Sequence, residues 1–376
     1  EITEIPKPSF QEIEPEKITL DFASFDKAIE VIDSSNRTVV IVGGGLENSP
    51  DARQTLKTFA EKANALVLCT PASKGRFDFS HPLSLGSWVE DEAVTNILNT
   101  ADAVLALGTA IGEITSNGFS FDPRGTLIQV NADIRTLGAN YKALAIQADA
   151  LVALKYLAEH INVAAGNDAE AVAKDALEKI ENHLTEQDLA YEVEFLKILR
   201  NAIPKNSATF WDMTIAGYWA WSAWDAKEGE FHSAQGAGGL GFAFPAAIGG
   251  AIASDKRTYA VSGDGGAMYS IAELASAKQH KANVTWVIVN DGGYGILKHY
   301  MDSAFGTSSA TDLFVPDFVK LAEAFDIPAS EVNLGTIADQ IIASNSQEGP
   351  SVLVLNKSLS MFTESKPTSA IESEKK

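Results

Sequence analysis

Short apolar runs alternate with longer amphipathic stretches along most of this chain. Thr38–Val42 (TVVIV), Ala65–Leu68, Ala103–Leu107 and Thr126–Val130 are apolar on both faces. That pattern predicts strands buried on both sides. Between the first two, Pro50–Ala63 places its apolar residues on one helical face. The later half repeats the alternation, with runs at Ala208–Trp211, Tyr259–Ser262 and Val284–Val289 (VTWVIV). Gly266–His280 predicts one helix, carrying Met268, Ile271, Leu274 and Ala275 at helical spacing. Strands alternating with helices give parallel sheets covered on both faces, so the expected fold is α/β, with two doubly wound domains.

The 376 residues suffice for about two domains. Residues 1–22 are rich in Pro and charge and read as an extended lead-in, and residues 23–163 form the first domain. The small, polar AAGNDAE opens a connecting segment, 164–185. Helices at Glu170–Asn182 and Glu186–Ala202 lead into a second domain, 186–358. Residues 359–376 are rich in Ser, Thr, Glu and Lys and read as a disordered tail. After Ala208–Trp211, a predicted helix carries Tyr218, Trp219, Trp221 and Trp224, which could line a pocket or form a partner surface but read first as core or subunit-interface packing.

Composition narrows the classes. Hydrophobic residues at 45% and charged ones at 21% suit a soluble globular chain. No apolar run reaches the roughly 18 residues that a membrane span needs. The net charge of −21 argues against a nucleic-acid partner, because phosphates need basic patches. It also leaves an anionic cofactor dependent on local attraction. The single cysteine, Cys69, excludes an internal disulfide and a Cys metal cluster, and its apolar setting ALVLC marks it as core. No secretory pattern is visible, which predicts a cytoplasmic protein.

The chemistry concentrates between Gly263 and Leu297. Asp264 and Asp291 each follow a predicted strand and stand 27 residues apart. Strand, helix and parallel strand form a right-handed βαβ unit, which brings both strand ends to one sheet edge. Ligands bind at that edge in open α/β sheets. Two carboxylates beside a Gly-rich turn suit Mg²⁺ shared with a phosphate, whose oxygens would meet the N–H groups of a helix N-terminus.

GDG, a helix, a strand and the turn NDGGYGIL resemble the thiamine diphosphate motif. The turn is similar to the NNGxYG of benzoylformate decarboxylase and acetolactate synthase relatives. Gly236–Pro245 (GAGGLGFAFP) resembles their cofactor-clamping loop, and PDFVKLAEAFDI and GPSVLVL resemble their last helix and strand. VVIVGGG, PASKGRFDFSHP and LIQVNADIRTLG give residues 23–163 a weaker likeness to the family's central Rossmann-like domain.

The resemblance implies a thiamine diphosphate- and Mg²⁺-dependent lyase or carboligase acting on a 2-oxo acid. Asp264, the Asp291 side chain and the Gly293 carbonyl match the metal ligands. Thr214, Gly265, Gly266, Asp291 and Tyr294 match positions around the diphosphate. Leu240 matches the bulky residue that bends the cofactor, and Gly238 the carbonyl facing its 4′-amino group. Ile296, Leu297 and Tyr300 match the substrate pocket. Leu297 stands where pyruvate decarboxylases carry Glu, and Asp291 where Asn is common. His299 reads as a solvated helix residue and His232 as strand-end packing. Gly43–Gly45 lacks GxGxxG spacing, and Gly108–Gly112 lacks the arginine of flavin-binding acetolactate synthases. FAD in the central domain is therefore not favoured over a structural role there. The family's pyrimidine-binding domain and its glutamate have no counterpart in these residues. The expectation is a second chain or partner carrying them, in a homo- or hetero-oligomer, with no activity in their absence. The alternatives are a non-catalytic assembly subunit that keeps the cofactor fold, a thiamine-dependent oxidase with FAD in the central domain, and a plain dinucleotide-binding oxidoreductase.

Overall fold

The apolar runs become strands because helices cover both of their faces. The computed structural model describes residues 19–162, 164, 168–363 and 365. The first part folds as α1 (Phe22–Ser34), β1 (Thr38–Val42), α2 (Pro50–Ala63), β2 (Leu66–Cys69), α3 (Glu92–Thr100), β3 (Ala103–Leu107), β4 (Thr126–Asn131), β5 (Leu144–Gln147) and α4 (Ala150–His160). Its strands run in the order β2-β1-β3-β4-β5, all parallel. Val39–Val42 and Ala103–Leu107 are fully buried. Asp21, Ser49, Asp91 and Asp149 cap α1 to α4 with their side chains, each such cap contributing about 1 kcal/mol.

α5 (Ala169–Glu186) and α6 (Ala190–Ala202) follow. The second sheet then forms from β6 (Thr209–Trp211), α7 (Ile215–Ala223), β7 (Phe231–Ser233), α8 (Ala243–Ser254), β8 (Thr258–Gly263), α9 (Asp264–Ser270), α10 (Glu273–Gln279), β9 (Val284–Asn290), α11 (Gly295–Phe305), α12 (Phe318–Ala324), β10 (Ala329–Val332), α13 (Ile337–Asn345) and β11 (Ser351–Asn356). Its order is β10-β11-β9-β8-β6-β7, again all parallel. The two sheets with helices on both sides match the expected α/β class. The chain reverses direction across the first sheet between β1 and β3 and across the second between β6 and β8, with a further turn back at β10 to β11. Those crevices are where an open α/β sheet offers a site.

Two features, a split helix and a packed tail, differ from the sequence expectation. The helix predicted over Gly266–His280 starts earlier and splits into α9 and α10. At the junction the amides of Leu274 and Ala275 bond the carbonyls of Ile271 and Ala272, three residues back, a tighter turn that interrupts α-helical bonding. Met268 therefore lies exposed, while Leu274 is core. The helix predicted at Glu170–Asn182 forms as α5, which packs on α3 and β2. Of the readings of the aromatic cluster, core packing holds for Trp219, Trp221 and Trp224, which are buried within this chain and offer no surface to a partner. The tail does not leave the body at residue 359. Leu359, Met361 and Phe362 are buried, and the Phe362 ring stands 4.9 Å from that of Trp219. Trp219 Nε1 donates to the Ser360 carbonyl at 2.8 Å, and the Ser360 amide donates to Glu192 Oε1 at 2.7 Å. The rest of the predicted tail, and most of the lead-in, lie outside the described residues.

Cys69 is buried and free, and burial raises its thiol to about 11. Among the described residues no helix is long and apolar enough to cross a membrane.

Candidate functional site

The crevice between β6 and β8 holds the charge predicted for it. Asp264 begins α9 directly after β8 and is 2% exposed. Neither of its carboxylate oxygens has a hydrogen-bond partner. Asp291 follows β9 in the next strand position. Burial raises its carboxyl to about 7, and the Asp264 carboxylate beside it adds to the rise. Asp264 is buried and Asp291 half-buried on the cleft wall, and two carboxylates this close with little water between them are costly without a cation.

Glycines make room for these groups. A Cβ on Gly295 would stand 2.1 Å from Asp291 Oδ2, so the carboxylate lies against the first residue of α11. A Cβ on Gly265 would stand 2.7 Å from the Tyr294 ring. The Tyr294 amide donates to the Thr311 carbonyl at 2.8 Å, and the Leu313 amide to the Gly292 carbonyl at 2.9 Å. These bonds pin the Gly292–Tyr294 turn to the segment beneath it. Thr214 caps α7, its hydroxyl accepting from the Gly217 amide at 3.3 Å; the hydroxyl proton stays available for a donor role. No side chain caps α9 or α11.

The predicted residues converge. Thr214, Gly238, Leu240, Gly265 and Gly266 line one cleft of about 260 Å³. Its opposite wall is Asp291, Gly293, Tyr294, Ile296, Leu297 and Tyr300. Asp264, buried, directly precedes the lining residue Gly265. His299 is outside this cleft, lining an adjoining one of about 290 Å³ on the other side of the Gly292–Gly295 turn. His232 stacks on Phe210 at 4.8 Å, as packing. The Asn290 Nδ2 donates to Asn356 Oδ1 of β11 at 2.8 Å, while its own Oδ1 is buried without a partner.

Sequence reasoning missed Met213 and Ile215, which with Tyr218, singled out as possible pocket lining, complete the wall from the β6 end. The signal was the strand-to-helix junction Asp212-Met213-Thr214 itself: residues next to a capping Thr at a reversal point must face the crevice. Asp212, fully buried at the end of β6, was also passed over.

The arrangement tests well against a hard cation bridging to a phosphate. Asp264 supplies two unpaired oxygens, Asp291 a third and fourth, and the floor is backbone that a Cβ would fill. Among the described residues no cluster of three or more His, Cys, Asp or Glu side chains could hold a metal alone. Such a site is of the kind that Mg²⁺ completes with substrate or cofactor phosphates.

Comparison with known proteins agrees with this geometry. Residues 212–355 match the family model for the thiamine pyrophosphate enzyme, C-terminal TPP binding domain. Residues 25–157 match the model for the thiamine pyrophosphate enzyme, central domain. The chain belongs to the thiamine pyrophosphate enzyme family. It is 27% identical over 328 residues to the acetolactate synthase large subunit of Parasynechococcus marenigrum, covering 82% of this chain and 52% of that protein. The acetolactate synthase isozyme 1 large subunit of Escherichia coli is 28% identical over 324 residues, with 82% and 56% covered. The 3D-(3,5/4)-trihydroxycyclohexane-1,2-dione hydrolase of Lacticaseibacillus casei is 23% identical over 360 residues, with 81% and 54% covered. The chain thus spans about half the length of the curated relatives it matches.

Proposed function

We propose that this chain supplies the diphosphate and metal half of the active site of an acetolactate synthase-like enzyme acting on a 2-oxo acid. The observation that carries the reading is the buried, unpartnered Asp264 carboxylate facing Asp291 at a Gly-rich strand end. Asp264, Asp291 and the Gly293 carbonyl would hold Mg²⁺. Thr214, Gly265, Gly266 and Tyr294 would surround the diphosphate, and Gly238 and Leu240 the organic rings. Thiamine diphosphate, when bound, supplies the nucleophilic carbon that attacks a substrate carbonyl.

What this chain contributes is charge neutralisation, orientation and an apolar wall. Ile296 is buried, and Leu297 and Tyr300 are about half-exposed at the cleft mouth, where a 2-oxo acid would meet them. Met268, Tyr269, Phe305 and Phe314 add exposed apolar surface on and around α9 and α11. An exposed apolar patch marks an interaction site. A pyrimidine-binding domain, from a second chain or another stretch of polypeptide, would cover it and supply the acid that protonates the cofactor ring. The working unit is then an oligomer in the cytoplasm, divided in this chain into a central unit at 23–163 and a diphosphate-binding unit at 186–358.

Calorimetry with thiamine diphosphate, with and without Mg²⁺, tests the reading. Mg²⁺-dependent binding supports it, and binding indifferent to the metal refutes the assigned site. Turnover of a 2-oxo acid should appear only when a pyrimidine-binding domain is present; turnover by these residues alone would refute the shared active site.

A further inference from the structure

Asp212 stands at the end of β6 with no exposed surface. Its Oδ1 accepts from the Ala243 amide at 2.9 Å. Ala243 is the first residue of α8, and the residue before it, Phe242, provides no side-chain cap. A helix N-terminus leaves amides without intrahelical partners, and here the missing cap comes from a strand 31 residues earlier. The other oxygen, Oδ2, is buried without a partner. A Cβ on Gly266 would stand 2.8 Å from it. The carboxylate is therefore wedged between the start of α8 and the first turn of α9.

The segment that α8 anchors is the one carrying Gly238 and Leu240. Gly236, Gly238 and Gly241 all take positive φ, at +84°, +63° and +77°. Such a run has little conformational restraint of its own. Nothing lies within 4 Å of a Cβ placed on Gly236, Gly238 or Gly239, so packing does not fix them either. The fixed points are the ends. The Gly238 amide donates to the Ala234 carbonyl at 2.9 Å, and beyond Gly241 the chain is held by Asp212. Gly241 also packs on Tyr269 of α9, where a Cβ would stand 2.7 Å from the Tyr269 Cβ. Burial raises the Asp212 carboxyl above the usual range, and the amides of Ala243, Phe242 and Gly241 and the Ser262 hydroxyl oppose the rise. The same amides belong to the loop exit.

We propose that Asp212 is the positioning residue of the 236–242 loop: capping α8 from β6, it sets where Gly238 and Leu240 stand relative to the Gly265-Gly266 turn. This rests on the reading of the cleft as a thiamine diphosphate site. The role is not a step in the chemistry, because Asp212 reaches the cofactor only through the loop and the turn it holds apart.

Hydrogen exchange on the protein without cofactor or metal tests this directly. In Asp212→Ala, amides of residues 238–243 should exchange about tenfold faster, the size of one lost capping bond, with β8 and β9 unchanged. Asp212→Asn keeps the accepting oxygen and should stay within about threefold of the parent. Should Asp212→Ala fail to fold, Asp212→Ser, whose hydroxyl is too short to reach Ala243, provides the same comparison. Thiamine diphosphate affinity in the presence of Mg²⁺ should fall about tenfold in the Ala or Ser variant and be largely rescued in the Asn variant. Equal exchange in all variants, or faster exchange spread evenly over β6, β8 and β9, would overturn the proposal. If the parent protein bound no thiamine diphosphate, the cleft reading would fail while the exchange result still decided what holds the loop.

Discussion

The two sheet edges use glycine for opposite ends. At the first, the Gly43 amide donates to the Leu107 carbonyl at 2.8 Å, Gly45 to the Gly108 carbonyl at 2.9 Å, and Gly108 to the Val130 carbonyl at 2.9 Å. A Cβ on Gly43 would stand 2.3 Å from the Gly108 carbonyl oxygen. Backbone packs on backbone there, and every one of those donors is satisfied. At the second edge Gly293 also lies against backbone, a Cβ there standing 2.3 Å from the Thr311 carbonyl oxygen, but three glycines clear space around side chains: Gly295 for Asp291, Gly265 for Tyr294 and Gly266 for Asp212. There Asp264 keeps both oxygens unpaired. The first edge also bounds a cleft, of about 410 Å³, in which Glu113 is the one charged lining residue. A glycine cluster at a strand end thus shows only close approach; unneutralised buried charge is what marks a cation site.

Substitutions at equivalent places should separate the two. Gly295→Ala drives a methyl into Asp291 and should weaken Mg²⁺-dependent thiamine diphosphate binding by about 100-fold, read by calorimetry; a loss under about threefold would show that Asp291 is free to move. Gly45→Ala puts a Cβ 2.9 Å from Gly108 and should cost about 1–3 kcal/mol in urea unfolding. Its cofactor affinity should stay within about threefold, and a larger loss would mean that the first edge also serves the cofactor.

The next test is of charge. In the metal-free protein the Asp291 carboxyl titrates at about 7, above its unfolded value of about 4. The folded state then binds the extra proton between those values. Its stabilising effect is full below about pH 4 and is lost as pH rises through 7, at no more than about 1.4 kcal/mol per pH unit. Urea unfolding in chelator at pH 5 and pH 8 should show the decline, and Asp291→Asn should flatten it. Equal slopes in parent and variant would remove Asp291 from the buried pair. The smallest effect on binding is expected at Leu240. Leu240→Ala should leave affinity within about threefold and lower turnover in the completed active site, since bending, not holding, is its role; unchanged turnover would show that Leu240 does not bend the cofactor.

Much of this was legible beforehand, for physical reasons. Runs such as TVVIV and VTWVIV are buried on both faces, so their apolarity names them as central parallel strands. Asp264 and Asp291 could be paired because a βαβ unit fixes both strand ends to one edge. The break between α9 and α10 was not legible: Ile271 and Ala272 keep helical torsions, and only the hydrogen bonding changes. Leu359, Met361 and Phe362 were hidden inside a polar composition, since three apolar residues in a Ser-rich stretch carry no period. Asp212 escaped because its role is tertiary, a cap provided from outside the helix, which no local pattern encodes. The burial of Trp219, Trp221 and Trp224 depended likewise on which helices came to cover α7.

The central claim is that the buried, unpartnered Asp264 carboxylate beside Asp291 makes the second edge a metal–diphosphate site. Titrating thiamine diphosphate calorimetrically into Asp264→Asn, with Mg²⁺ present, tests it most directly. Asn keeps the shape but gives up the charge, so the account predicts an affinity lowered about 100-fold, near the level of the parent protein in chelator. An affinity equal to that of the parent with Mg²⁺ would contradict it.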